Sequence, residues 1–168
     1  GKPGETTGTH TTEYPAAQFV PQEGWRLSVH GRGGESQLQD RTLRFDFRQG
    51  ASSVGIVPTD SSLLGNPEQI RIRVKGSAPG HPVRLLIATH FMTFEKTIGE
   101  FCGDEMSEIV VDAPPGDGWR WYGGENDGKR HGPLRIRGIY LDAGDTHDSG
   151  TLELQEVCVT TSCTANRC

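Results

Sequence analysis

Apolar and polar residues alternate with a period of two along most of the chain from Trp25 onward. In "TLRFDFR", Leu43, Phe45 and Phe47 share one side, and Arg44, Asp46 and Arg48 the other. "QIRIRVKG" sets Ile70, Ile72 and Val74 against Arg71, Arg73 and Lys75. "LRIRGIYLD" sets Leu134 and Ile136 against Arg135 and Arg137, and "TLELQEVCV" sets Leu152 and Leu154 against Glu153 and Gln155. Successive side chains of a strand point to opposite faces, so this pattern predicts half-buried antiparallel strands. "VRLLIATH" and "MSEIVVDAP" read as strands buried on one face or both.

Between these runs lie "HGRGGES", "PTDSSLLGNPE", "GSAPGHP", "APPGDG", "GGENDG" and "AGDTHDSG", each rich in turn-forming residues. No window keeps the i, i+3, i+4 apolar stripe of a helix. About eight strands at this spacing predict an all-β fold, a two-sheet antiparallel β-sandwich. Residues Gly1 to about Thr12, "GKPGETTGTHTT", are polar and without periodicity, as in a linker. The expected organisation is therefore a linker over residues 1–13, one folded domain over 14–160, and a cysteine-containing tail over 161–168.

At 168 residues the chain suffices for one domain with a sizeable core and is too short for two ordinary ones. A hydrophobic share of 33%, with 23 glycines and 10 prolines, agrees with short strands and many turns. The net charge of −5 gives no basic footprint for nucleic acid. No apolar run approaches the roughly 18 residues of a membrane helix. The absence of an initiator Met and of a signal peptide suggests a mature or excised chain.

Cys102, Cys158, Cys163 and Cys168 lack the CxxC spacing of a zinc site, which favours disulfides in an exported protein. Of the three possible pairings, the preferred one joins Cys163 to Cys168 and Cys102 to Cys158.

The order of features resembles a known group over about residues 20–160. An early aromatic and glycine lead to "LRFDF" and then "PEQIRIRVKGSAPGHPVRLLI". "EIVVDAP", a Trp-containing segment, a Gly/Asn/Asp loop, a Pro-initiated strand and a final "GTLELQEV" follow. This resembles the galactose-binding-domain-like β-jelly roll, and within it the carbohydrate-binding modules of secreted bacterial polysaccharide-degrading enzymes. The resemblance implies a jelly roll, a sugar-binding role and one structural Ca2+. It also implies metal ligands from the first and last strands, for which Glu23, Glu35 and Glu156 are candidates.

The residues themselves point the same way. Trp119, Trp121 and Tyr122 precede a polar loop holding Asn126, Asp127, Lys129, Arg130 and His131. An aromatic plane packs against sugar C–H groups while planar polar side chains take the hydroxyls. Parity suggests Trp119 as a core anchor and Trp121 or Tyr122 as the platform, with Arg120, Asn126, Asp127, Arg130 and His131 fixing hydroxyls. His90, Phe91 and Phe94 follow a buried strand and offer a second wall, or a loop folded back on the core. Arg44, Arg48, Arg71, Arg73, Lys75, Arg84, Arg135 and Arg137 occupy the non-core parity. They either form a cationic face for an acidic polysaccharide or pair with Asp46, Glu68, Glu108 and Glu153. The loops holding Asp117, Glu125 and Asp127, and Asp145, His147 and Asp148, are oxygen-rich without an EF-hand spacing.

No GxSxG, HExxH or phosphate loop occurs. The expectation is an exported, monomeric, non-catalytic carbohydrate-binding module with no catalytic residues, no nucleic-acid partner and no membrane partner. It would carry an appended catalytic domain to a polysaccharide or oligosaccharide, an acidic one preferred over a neutral one. Two rivals stand: a small jelly-roll polysaccharide lyase using His and Tyr or Arg and Lys, and a structural accessory domain that binds no sugar.

Overall fold

The computed structural model describes residues 9–15, 24–59 and 62–164. Among them run β1 (Thr9–Pro15), β2 (Trp25–His30), β3 (Gln37–Gln39), β4 (Thr42–Asp46), β5 (Ser53–Pro58) and β6 (Asn66–Lys75). β7 (Val83–Thr89), β8 (Met92–Gly99), β9 (Met106–Asp112), β10 (Arg120–Tyr122), β11 (Leu134–Asp142) and β12 (Ser149–Thr164) complete the set. The first sheet is ordered β3-β4-β12-β6-β9, with β1 also on β12; the second is β10-β8-β7-β11-β5-β2. Every pairing is antiparallel. The two sheets face each other as the alternation predicted, in a jelly-roll sandwich.

The inner faces carry the expected residues. Leu43, Phe45, Ile70, Ile72, Val74, Leu152 and Val159 come from the first sheet, and Ile56, Leu85, Ile87, Phe94, Leu134 and Ile136 from the second. All are buried in one cluster. Fully burying such a side chain contributes on the order of 1.5–3 kcal/mol, so this layer dominates stability.

The folded part is wider than the pattern indicated. β1 begins at Thr9 and β12 continues to Thr164, and the two are paired from Thr9↔Thr164 to Pro15↔Cys158. Residues His10 to Glu13 are exposed. The strand is held by backbone rungs, by Tyr14 against the edge of the core and by the Glu13–Arg71 pair, and with so little apolar surface it leaves no period to read.

Cys102 and Cys158 are free thiols, which corrects the expected pairing between them. Cys158 lies within the first sheet, opposite Arg71 of β6 and Pro15 of β1, and Cys102 follows β8 of the other sheet. Burial pushes the Cys158 thiol up, with a hydrogen bond from Arg71 opposing it. Cys163 is disulfide-bonded, and its preferred partner Cys168 lies outside the described residues.

Two buried polar side chains lock one end of the sandwich. His81 sits face-on to Phe47, with ring centroids 4.3 Å apart. Its Nδ1 lies 3.1 Å from the carbonyls of both Asp142 and Ala143, and its Nε2 lies 2.5 Å from Asp148. Asp46 takes two bonds from the Arg48 guanidinium, at 2.9 and 3.1 Å. The backbone N–H groups of Glu35 and Arg48 donate to it as well, at 2.9 and 3.0 Å. Gly34, at φ 54°, passes so close that a Cβ would meet an Asp46 oxygen at 2.3 Å.

The bond from Arg48, followed by those two N–H groups, holds the Asp46 carboxyl well below the ordinary carboxylate range. A carboxyl depressed on folding stabilises the fold above its unfolded value of about 3.9, and that stability is lost as pH falls towards the folded value. The thermal midpoint of the wild type should therefore drop on acidification below about pH 4, and drop less steeply in Asp46→Asn. Melting curves of the two proteins over the acid range check this; parallel curves would contradict it.

Candidate functional site

Three register pairs set the geometry of the aromatic cluster: Arg120↔Glu95, Trp121↔Phe94 and Tyr122↔Thr93. Because strand side chains alternate, Trp121 leaves β10 on the side of the buried Phe94, and Arg120 and Tyr122 on the opposite, outer face. Trp121 is 45% exposed and Tyr122 44% exposed, so both rings are half open. They do not form one surface, because the edge strand runs between them.

Trp119 is the anchor the parity argument expected, at 5% exposure. Its ring meets Phe94 edge-on at 6.5 Å and its indole N–H donates to the carbonyl of Asp112 at 3.1 Å. The Lys96 ammonium lies 5.9 Å from the ring centroid. Trp121 is lined on its inner side by the following loop. Gly128, at φ 70°, lets the backbone approach so closely that a Cβ there would lie 2.9 Å from the indole.

The loop residues expected to fix hydroxyls also bond within the protein. Arg130 donates to the carbonyls of Pro114 at 2.6 Å and Pro67 at 2.8 Å, and to the side chain of Asn66. It is a tie between loop and first sheet. Burial pulls its guanidinium down from its ordinary value. Asp127 accepts from the Lys129 N–H at 3.0 Å and lies 2.8 Å from His131 Nε2. The His131 N–H donates to Thr89 at 2.8 Å. Asn126, at φ 52°, closes a turn by donating its N–H to Gly123 at 3.0 Å.

His90 and Phe91 form the turn between β7 and β8. His90 is hydrogen-bonded to Glu125 of the loop and packs on Phe91 with ring centroids 4.2 Å apart. The bond from His90 is the leading reason why the Glu125 carboxyl is lowered, as the bond from His131 is for Asp127. Phe91 is 75% exposed, whereas Phe94 is wholly buried and belongs to the core. His90 and Phe91 therefore edge the loop, and Phe94 supports β10 from below.

The outer face of the second sheet brings together residues that are distant in sequence. Tyr122, Thr93, Ala88 and Arg135 form one row across β10, β8, β7 and β11. Arg137 donates to the Thr93 hydroxyl, reaching across β7, and Arg135 donates to the His90 carbonyl at 3.5 Å. In the next rows Glu95 lies 3.1 Å from Arg84 and 3.5 Å from Arg120. Arg84 also meets Asp142 at 3.1 Å and covers the Tyr140 ring. A hollow of about 200 Å³ opens beside Arg135 and Arg137, walled by Val57, Pro58, Thr59 and Ser62. Tyr140 and Arg26, which join this face, were not singled out in the sequence. Only their even spacing from Asp142 and Ser28 could have shown it.

Of the metal candidates, Glu35 is taken by Arg44 at 2.8 Å, and Glu156 by Arg71 at 3.1 Å and Arg73 at 3.5 Å. Glu23 lies outside the described residues. Among the described residues no group of three or more His, Cys, Asp or Glu converges. Glu35 and Glu156 thus do not fit the shell of roughly 6–8 oxygens that calcium takes.

No family model and no curated protein matches the chain by sequence. Among solved structures, the chain is similar to the carbohydrate-binding module CtCBM11, at 13% identity and a TM-score of 0.45 over 93% of this chain and 96% of that one. It is also similar to a family 29 carbohydrate-binding module, at 13% identity and a TM-score of 0.40 over 90% and 93%. A third similarity is to TmCBM61 in complex with β-1,4-galactotriose, at 10% identity and a TM-score of 0.36 over 86% and 90%.

The different burial of the two indoles gives a direct check. Trp119→Ala should cost about 3–5 kcal/mol of unfolding free energy, as for other large-to-small core changes. Trp121→Ala should cost no more than about 1 kcal/mol. Urea denaturation of both variants measures this, and equal losses would contradict the anchor-and-platform division.

Proposed function

We propose that this domain is a non-catalytic carbohydrate-binding module. The observation that carries the reading is the Tyr122 ring, half exposed on the outer face of the second sheet and in one row with Thr93 and Arg135. A pyranose lays its C–H face on such a ring and turns its hydroxyl edge towards Arg137, whose guanidinium bonds the buried Thr93 hydroxyl next to Tyr122. Arg120, 74% exposed at its side chain and held at 3.5 Å by Glu95, borders the same ring. His90 and Phe91 form the turn that joins the two middle strands of the row, β7 and β8. Trp121, on the opposite side of β10, is a second place where a sugar ring can rest.

The site is open and wet, so affinity is modest: few of its contacts are fully desolvated, and ordering of the long side chains opposes binding. The same reading puts the module in an exported protein, where it would keep a catalytic domain of the parent polypeptide near its polysaccharide. Arg130, Asn126, Asp127 and His131 then serve by holding the loop in place.

Affinity electrophoresis of the whole chain against a panel of neutral and acidic polysaccharides tests the proposal. Retardation by at least one polymer is expected, weakened about 10-fold or more in Tyr122→Ala, equivalent to roughly 1.4 kcal/mol. Trp121→Ala distinguishes the two rings. A wild type retarded by nothing leaves a structural accessory role, and new unsaturated ends on incubation with uronic-acid polymers establish a lyase.

A further inference from the structure

We infer that the outer face of the second sheet selects an acidic polysaccharide, whose carboxylate or sulfate groups are taken by Arg26, Arg135 and Arg137. The inference rests on the carbohydrate-binding reading and specifies its ligand. It starts from how the arginines in the strands are partnered. Arg44, Arg71 and Arg73 of the first sheet face Glu35, Glu13, Glu108 and Glu156 at 3.5 Å or less. Arg84 and Arg120 of the second sheet share Glu95, and Arg84 also holds Asp142. Among the described residues, Arg26, Arg135 and Arg137 have no carboxylate in reach of an ion pair.

These three are neighbours. Arg26 of β2 stands directly opposite Val57 of β5, and Val57 walls the hollow that Arg135 and Arg137 border. Ser62, bridged to Arg135, and Thr59 add hydroxyls to the same wall. No carboxylate lines the hollow among the described residues. Like charges on neighbouring strands repel one another, and this chain has 22 acidic residues against 17 basic ones. Among the arginines of the described strands, this trio stands out as the ones without an ion pair.

Among the described residues, the side chains of Arg135 and Arg137 each spend a single bond inside the protein, to the His90 carbonyl and the Thr93 hydroxyl respectively. The rest of each guanidinium fork remains to grip a planar or tetrahedral anion. Tyr122 and Arg135 are three strand spacings apart in one row, roughly 14 Å. A glycan lying across the strands can therefore stack one ring on Tyr122 and present acidic groups to the arginines.

The experiment uses matched polymers: polygalacturonate and alginate beside their carboxyl-reduced forms, and chondroitin sulfate beside its desulfated form. Wild type, Arg135→Gln/Arg137→Gln and Arg73→Gln are run on each by affinity electrophoresis, with melting curves as a control for folding. The wild type should bind at least one acidic polymer about 10-fold or more tightly than its uncharged counterpart, and the preference should shrink as salt rises. The double variant should lose that preference, while Arg73→Gln, with half its charge change but on the other sheet, should keep it. Carboxylate and sulfate as the recognised group are told apart by which pair discriminates. Equal binding to charged and uncharged members, or a preference that survives in the double variant, overturns the inference and leaves the carbohydrate reading standing. Failure to bind any polymer in this set or in the wider panel removes both.

Discussion

Arg120, Trp121 and Tyr122 hang on the edge of the second sheet by three pairs to β8, a ladder too short to hold a strand in water unaided. Trp119, one residue earlier, provides what that ladder lacks. Its indole is buried against Phe94, its N–H is satisfied by Asp112, and the Lys96 ammonium covers its rim. On the far side Arg130 ties the loop back to Pro114, Asn66 and Pro67. Between these fixed points β10 has one register open to it, and that register sends Trp121 and Tyr122 to opposite faces. The whole presentation of aromatic surface follows from an indole that is itself inaccessible.

Charge is distributed differently over the two sheets. On the first, Arg71 and Arg73 interlock with Glu13, Glu108 and Glu156 across four strands, a network that neutralises the face and discourages edge association. On the second, acids cluster around Arg84, next to Tyr140, and leave the opposite end of the face cationic. A protein that is acidic as a whole thereby keeps one local positive field, and with screening over about 8–10 Å in physiological salt, the field is local in effect too.

Strand faces were legible because burial imposes a period: Leu43 and Phe45, Ile70 to Val74, and Leu134 and Ile136 all point where their alternation sends them. β1 was not, since its rungs to β12 are mostly backbone bonds and its exposed side chains carry no apolar period. The non-core parity of the arginines could be read, but not which of them were neutralised, because the partners come from strands as far apart as Glu13 and Arg71 or Arg71 and Glu156. The internal bonds of Arg130 were hidden for the same reason. A polar residue on a loop appears available until the chain 63 residues earlier folds beside it. The split between Trp119 and Trp121 was visible in part, as shared parity; that the second indole would stay half open depended on β10 being an edge.

The pairing of β1 with β12 bears on how the domain responds to tension. Thr9 and Thr164 are direct neighbours at the outer end of that pair, and the rungs run inward to Pro15 and Cys158. A load drawing those two outer residues apart would meet one rung at a time and peel the strands like a zip fastener. Loading them along the strand axis would instead engage every rung at once. Strand β1 is thus a mechanical fuse: peeled in this way it would yield first, while β4 and β6 keep their grip on β12 and the second sheet is left untouched.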